Sequence, residues 1–456
     1  MSWERLGRPA ASGPQLLLLL LPALLGCQAI RVVPEGHVSI PQTEFVPTMD
    51  DRPGARLFRD RDHAISTPVV VALMTGHYFG EYARDVPGCQ FEGTPIKCSY
   101  VDQYSAKDAD ALWYHAPSAC GVPGISRQYP NQHLVVMSME SSYFYACLDD
   151  MNYMDQFDIE MTYRRCSHVP VPYFQGDYAW VQNVLFGDPV PWEDKLDAVA
   201  YINSNCGAAT QRDALAQAIL DDKRLEMHAW GACKRNRTPP GGRGNKYEIF
   251  RRYKFCITME NSERQDYVTE KLYQGLEAGC LPIYLGTPHV LDVAPTAESV
   301  LDFSHFDRNA TRLIDHMLSL AQNKTAYMRT MAWKYMPWHA LSPGFQKTLA
   351  TSGDEVPHTQ CQLCQLLMRQ RIAPQKLLKT HCLHNETWMA ASRVGGSSWA
   401  NTSQGLLQVL QHRKWLKNTV WNPTRWAPVG QPRTSAPPGP AGRRLSSSQK
   451  LYYRLQ

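Results

Sequence analysis

The chain has 456 residues, 44% hydrophobic and 10% aromatic, enough for two domains with filled cores and too apolar for a chain disordered throughout. Its formal charge of +5 is mild for that length. No dense Lys/Arg block interleaved with aromatics precedes the tail, so nucleic acid is not expected as a partner.

After a short basic lead, an apolar run extends from Leu16 to Ile30 and stops at Arg31. It falls somewhat short of the ~20 residues that span a bilayer with ease, and Cys27–Ala29 resembles a small-residue cleavage site. Residues 1–30 therefore fit either a retained signal anchor or a removed signal peptide. Either one directs the rest of the chain to the secretory lumen. Residues 31–65, rich in Pro, Arg and Asp without periodicity, are expected to be an extended stem. "STPVVVALMTG" then has the pattern of a buried strand, and "DALWYHA", "HLVVMSME" and "FDIEMTY" repeat it. Residues 66–190 thus form an expected N-terminal α/β domain.

Prolines and charges in "FGDPVPWEDK" mark a boundary. "LDAVAYINSNC" reads as a strand and turn, and "ATQRDALAQAILDD" as a helix through Ala214, Leu215, Ala218 and Ile219. They open a second α/β domain over residues 191–340. Residues 341–385 form a Cys-containing segment, and 386–456 a tail whose Pro-, Gly- and Ser-rich end is expected to be disordered. Asn-X-Ser/Thr glycosylation acceptors occur at Asn236, Asn309, Asn323, Asn385 and Asn401, the first weakened by Pro239. Cys361 and Cys364 in "CQLC", with Cys382, read as disulfide partners in an oxidising lumen. A zinc knuckle is the rival reading, but it lacks a second pair at finger-like spacing.

The most informative stretch is "YKFCITMENSERQDYVTEKLYQGLEAGCLPIYLG", ending at Gly286. "KFCITME" and "CLPIYLG" are apolar runs of strand length, and Val268, Leu272 and Leu276 between them have helical spacing. The spacing predicts a βαβ unit, with Asp266 as helix N-cap and Gly279 as stop. That topology places Glu260, Asn261, Glu270 and Lys271 on a solvent-facing rim where ligands bind open α/β sheets. A helix N-terminus with Lys271 suits a phosphate or diphosphate, and Glu270 suits sugar hydroxyls. Arg212, on the neighbouring strand-turn-helix unit, can supply a second cation. Taken singly, each of these residues also reads as an ordinary surface charge. No P-loop or G-x-G-x-x-G follows a strand, which disfavours an ATPase or a dinucleotide enzyme. Asp60-Arg61-Asp62 and Asp108-Ala109-Asp110 are Asp-X-Asp triplets of a kind frequent by chance, and no metal is invoked.

Over this whole stretch the sequence resembles the α1,3-fucosyltransferase family, glycosyltransferase family 10, and the likeness extends more weakly over residues 66–385. The resemblance implies an α/β fold of GT-B architecture: two facing Rossmann-like domains, the second binding GDP-β-L-fucose and the first mainly the acceptor. Carried over, Arg212 and Lys271 hold the diphosphate, Asn261 and Tyr267 lie around the nucleotide, and Glu270 contacts sugar hydroxyls. Glu140 in "VVMSMESSYFYA" matches the family's Glu-Ser element and becomes the catalytic base of an inverting transfer, although Ser142 stands where proline is often found. "SMESS", "INSNCGA", "MAWKY" and "CQLC" look most like the plant-type branch, which attaches α1,3-fucose to the innermost GlcNAc of glycoprotein N-glycans. A Lewis-type enzyme acting on N-acetyllactosamine, O-fucosylation of protein modules and a non-catalytic luminal glycan-binding relative are the alternatives. The family also implies a single-pass type II Golgi membrane protein with luminal catalytic domains. No cofactor is then required, a divalent cation at most stimulating the reaction.

Overall fold

The computed structural model describes residues 57–76, 84–174, 180–238, 245–350, 358–374 and 382–384. The N-terminal apolar run, most of the stem, Asn385, Asn401 and the tail lie outside the described residues. Among those described, no helix is long and apolar enough to cross a membrane.

Two five-stranded parallel sheets organise the chain. The first contains β1 (Val69–Leu73), β2 (Cys98–Asp102), β3 (Ala111–His115), β4 (His133–Ser138) and β5 (Ile159–Thr162), in the order β2-β1-β3-β4-β5. The second contains β6 (Leu196–Tyr201), β7 (Glu226–Ala229), β8 (Tyr253–Ile257), β9 (Leu281–Tyr284) and β10 (Leu301–Asp302), in the order β10-β9-β8-β6-β7. Parallel strands covered on both faces read as continuous apolar runs, which is why β1, β3, β4, β8 and β9 are legible in the sequence. All five residues of β8 are buried. The two parallel sheets match the expected α/β fold of GT-B type, the first sheet ending at Thr162 and the second starting at Leu196.

Three features depart from the expected organisation. The stem ends earlier than residue 65: Arg61–Ser66 is a helix, α1, whose N-cap Asp60 accepts from His63 N at 2.7 Å. Phe58 and Ala64 are buried with the first sheet. One Asp-X-Asp triplet thus starts with a helix cap, and Asp110 of the other takes a bidentate pair from buried Arg371 at 3.1 and 2.5 Å.

Second, the Cys-containing segment is not a unit of its own. Pro343–Ala350 packs Phe345 and Leu349 against Leu272 and Trp333 of the second lobe. Thr359–Ile372, in contrast, buries Leu363, Leu367 and Met368 against Val69, Val71 and Trp113 of the first. Cys361, Cys364 and Cys382 do form disulfides, each reaching back to the first lobe: Cys89–Cys361, Cys98–Cys364 and Cys166–Cys382. These bonds leave no thiolates for a zinc knuckle. Cys120–Cys147, Cys206–Cys233 and Cys256–Cys280 close local loops.

Third, the described sequons differ in what they have free. Asn309 and Asn323 cap helices through their side-chain oxygens, accepting from Arg312 N and Ala326 N. Asn236 also donates its amide nitrogen to Met227 O at 2.9 Å, a bond that glycosylation would compromise.

Candidate active site

The signature stretch folds as the expected βαβ unit. β8 pairs in parallel with β9, Phe255 opposite Leu281 and Ile257 opposite Ile283, and α2 (Glu270–Ala278) connects them. Gly279 ends this helix at φ 64°, the left-handed conformation that glycine adopts without a Cβ penalty. The other end differs from expectation, because Thr269 and not Asp266 is the N-cap. Asp266, at φ 62°, lies before the helix, and its carboxylate accepts from the Arg165 backbone N at 3.0 Å.

Glu260 determines that choice. Its two carboxylate oxygens accept from Thr269 N at 2.8 Å and Thr269 Oγ1 at 2.6 Å, which fixes Thr269 in the extended conformation of a cap. Glu260 is 0% exposed, so of the residues assigned to a solvent-facing rim this one is instead a buried brace beneath it. The chain crosses directly above it after β9. A Cβ on Gly286 would lie 2.6 Å from Glu260 Cγ and 2.4 Å from the Tyr284 hydroxyl, so only glycine fits there.

Lys271 follows the cap and places its ammonium 2.9 Å from Thr269 Oγ1, 3.2 Å from Glu270 Oε1 and 3.7 Å from Glu260 Oε2. Burial alone would lower this ammonium, but the two carboxylates outweigh it and hold its pKa above the usual lysine value. Burial likewise opposes ionisation of Glu270, and Lys271 and Lys246 overcome it and keep that carboxyl below its usual range. For Glu260 burial prevails: Lys271 and the Thr269 hydrogen bonds oppose it, Glu270 adds to it, and the carboxyl is shifted up.

Arg212 is the first residue of the helix after β6 and is 1% exposed. Its guanidinium donates to Asn205 O at 2.7 Å and Met259 O at 3.2 Å, leaving Nε without a partner among the described residues. Its charge acts on Lys271. Lys246, which sequence reasoning missed, begins a short helix before β8 and interacts electrostatically with Glu270, Lys271 and Arg212; burial pulls its pKa down. Only the lysine in "GNKYEIF" marked it, with no motif around it. Beside the Arg212 helix, a cavity of about 290 Å³ is lined by Thr210, Gln211, Leu215, Phe303 and Arg308.

Glu140 reaches this cluster from the other lobe, two residues past β4. Its backbone N–H donates to buried Ser138 Oγ at 3.0 Å, and the same hydroxyl donates back to Glu140 O at 2.9 Å. Tyr173 donates to Met139 O at 2.7 Å, and Tyr163 accepts from Ser142 N at 3.2 Å, so tyrosines brace the turn on both sides. Burial pushes the Glu140 carboxyl above its usual range, Lys271 pulls it back in part, and Glu270 adds to the rise.

The two halves are joined at a seam. Ser262 Oγ donates to Ser141 Oγ at 2.7 Å, and Arg165 binds Asp292 O at 2.9 Å. Tyr267 is buried in this seam, edge-on to Tyr163 and Tyr173 with ring centroids 5.1 and 6.3 Å away. Asn261 lies beside it, its carbonyl accepting from Ala209 N. The structure therefore brings Glu140, Glu270, Lys271 and Arg212 together, whereas Tyr267 is packed between the lobes.

A model of the glycosyltransferase family 10 (fucosyltransferase) C-terminal domain matches residues 192–381. The chain is 30% identical over 287 residues to a "fucosyltransferase-like protein" of Arabidopsis thaliana, covering 63% of this chain and 50% of that protein. It is also 30% identical over 198 residues to "GDP-fucose protein O-fucosyltransferase 3" of Xenopus laevis, covering 39% of this chain and 40% of that one. The chain thus spans about half the length, or less, of these relatives. Among solved structures, that of an α1,3-fucosyltransferase with GDP aligns at 16% identity and a TM-score of 0.41, covering 64% of this chain and 93% of the other.

Proposed function

We propose, on the premise that this chain belongs to glycosyltransferase family 10, that it transfers L-fucose from GDP-β-L-fucose, with inversion and in α1,3 linkage, to GlcNAc of glycoprotein N-glycans. The innermost core GlcNAc is the acceptor we favour, supported by the plant-type resemblance. The observation that carries the reading is the electrostatic interaction of Glu140, on one lobe, with Lys271 and Glu270 on the other. A carboxyl whose affinity for protons is raised by burial is suited to general-base work.

In the proposed reaction Glu140 takes the proton of the acceptor hydroxyl. The hydroxyl oxygen bonds to fucose C1 while the C1–O bond to the diphosphate breaks, and GDP leaves with the bonding pair. Lys271, with Arg212 and Lys246, offsets the charge that develops on the diphosphate, and Glu270 accepts from sugar hydroxyls. We infer that these side-chain cations make a divalent metal dispensable, so that transfer persists in a chelator. We place the reaction in the Golgi lumen with the N-terminal segment in the membrane; six disulfides and the sequons support an oxidising compartment.

Incubating the protein with GDP-fucose and an N-glycopeptide should add one deoxyhexose, and fragmentation should place it on the innermost GlcNAc. Failure to transfer to any GlcNAc-containing acceptor would overturn the reading. Transfer to a folded protein module alone would favour the O-fucosyltransferase alternative, in keeping with the name of the Xenopus relative.

A further inference from the structure

We propose that Tyr143 and Phe144 form an aromatic platform on which a neutral sugar ring of the acceptor stacks. The proposal rests on the transferase reading and identifies the acceptor side of the same site. Most large apolar side chains are buried, yet these two consecutive rings are 48% and 46% exposed, three and four residues after Glu140. Met151 nearby is exposed as well. An exposed apolar patch beside a catalytic group marks a contact surface more often than chance exposure of single residues does.

The rings are held in place. Tyr143 N and Phe144 N donate to Ser141 Oγ and Ser141 O at 3.2 and 3.1 Å, and Ser141 itself is buried and bonded across the seam to Ser262. The two rings meet edge to face, centroids 5.0 Å apart at 79°. The Cys120–Cys147 disulfide ties down the chain just beyond them. From the donor lobe, the Arg264 guanidinium lies 5.1 Å from the Tyr143 ring centroid and 3.8 Å from Asp149. Aromatic surface fixed at low conformational cost, polar at one end and apolar over its face, suits a pyranose: C–H groups cover the ring and hydroxyls stay in water. Charge narrows the occupant. Asp149 pairs with Arg164 at 2.5 Å and lies 3.8 Å from Arg264, beside exposed Asp150, so the flank is balanced in charge and fits a neutral sugar better than an anionic sugar or an anionic membrane surface.

Tyr143→Ala and Phe144→Ala test this, with Phe144→Tyr as the conservative variant. Initial rates are measured in the full-length protein against an uncharged N-glycopeptide, GDP affinity by calorimetry, and binding of N,N′-diacetylchitobiose in the presence of GDP by saturation-transfer NMR. Each alanine variant should raise the acceptor KM about tenfold and weaken chitobiose binding. GDP affinity should stay within twofold, and Phe144→Tyr should approach wild type. Unchanged acceptor KM and unchanged chitobiose binding in both alanine variants would overturn the platform. A wild-type protein that transfers nothing, but binds chitobiose through these two rings, would overturn the transferase reading and uphold the platform.

Discussion

Glu277→Gln tests the electrostatics behind the donor helix. Glu277 is 3% exposed on α2, and neither of its carboxylate oxygens has a hydrogen-bond partner among the described residues. Its neighbour Lys334 is buried too, but directs its ammonium to Leu185 O at 2.5 Å and more weakly to the Glu277 carbonyl at 3.4 Å, not to the carboxylate. Burial raises Glu277 to about 8, with Lys334 opposing, and lowers Lys334 to about 7. Near pH 7.5 the pair is then mostly a neutral acid beside a neutral amine. Between about 4.5 and 8 the folded chain holds a proton on Glu277 that the unfolded chain has released. Its contribution to stability is therefore intact below 4.5 and is lost as pH rises to 8. At ~1.4 kcal/mol per unit, the ceiling is roughly 5 kcal/mol. Lys334 runs the other way and restores stability between about 7 and 10.5, where only the unfolded chain keeps its proton.

Gln has the shape of the neutral acid and cannot ionise. Glu277→Gln should match wild type within ~1 kcal/mol at pH 5 and exceed it by roughly 2–4 kcal/mol at pH 8. Urea unfolding at pH 5, 6, 7 and 8 without reductant measures the difference. A variant less stable than wild type, by a margin that widens towards pH 8, would refute the reasoning. It would mean that the two groups are an ion pair, whose disruption leaves Lys334 charged and alone.

Glu140→Gln should lower turnover by about 10²–10⁴-fold and leave GDP affinity close to wild type. In the wild type, the acidic limb of the kcat/KM profile should rise through a pKa above the ordinary carboxylate range, following the upward shift of Glu140. Lys271→Ala should weaken GDP binding in calorimetry by at least about tenfold, since it removes a charge-assisted contact worth ~1.5–3 kcal/mol. Unaltered GDP affinity would remove Lys271 from the diphosphate site. The Cys89–Cys361 and Cys98–Cys364 bonds clamp the same two segments, so with one intact the other closes a ring of only about a dozen residues. Replacing one pair with Ser should cost about 3 kcal/mol, and replacing both should cost more than twice that, read from denaturant midpoints. Additive losses would show that the bonds do not share a loop.

The βαβ unit was readable because its strands are buried on both faces, so β8 and β9 are unbroken apolar runs, and because Gly279 has one conformational role. Strand β2 was not, since "CSYVDQ" alternates apolar and polar residues at a sheet edge. The cap at Thr269 was hidden for a different reason. Asp266 and Thr269 are both good caps by residue type, and the choice between them depends on Glu260 beneath the helix and on Arg165 from the other lobe. Lys246 reaches the site through the tertiary fold alone. The partners of Cys361, Cys364 and Cys382 were equally out of reach, because spacing within one segment carries no information on cysteines more than two hundred residues away.

The seam between the lobes joins the two halves of the proposed site. Glu140 owes its raised proton affinity to burial, in a turn that meets the donor loop through Ser141–Ser262 and lies near the edge-on rings of Tyr163, Tyr267 and Tyr173. The donor loop is in turn fixed by Glu260, whose carboxylate holds both the helix cap and, at longer range, Lys271. A change at Glu260 should therefore affect diphosphate binding first and reach Glu140 through the seam, whereas a change at Tyr173, which bonds the Met139 carbonyl, should act on the base and spare the donor.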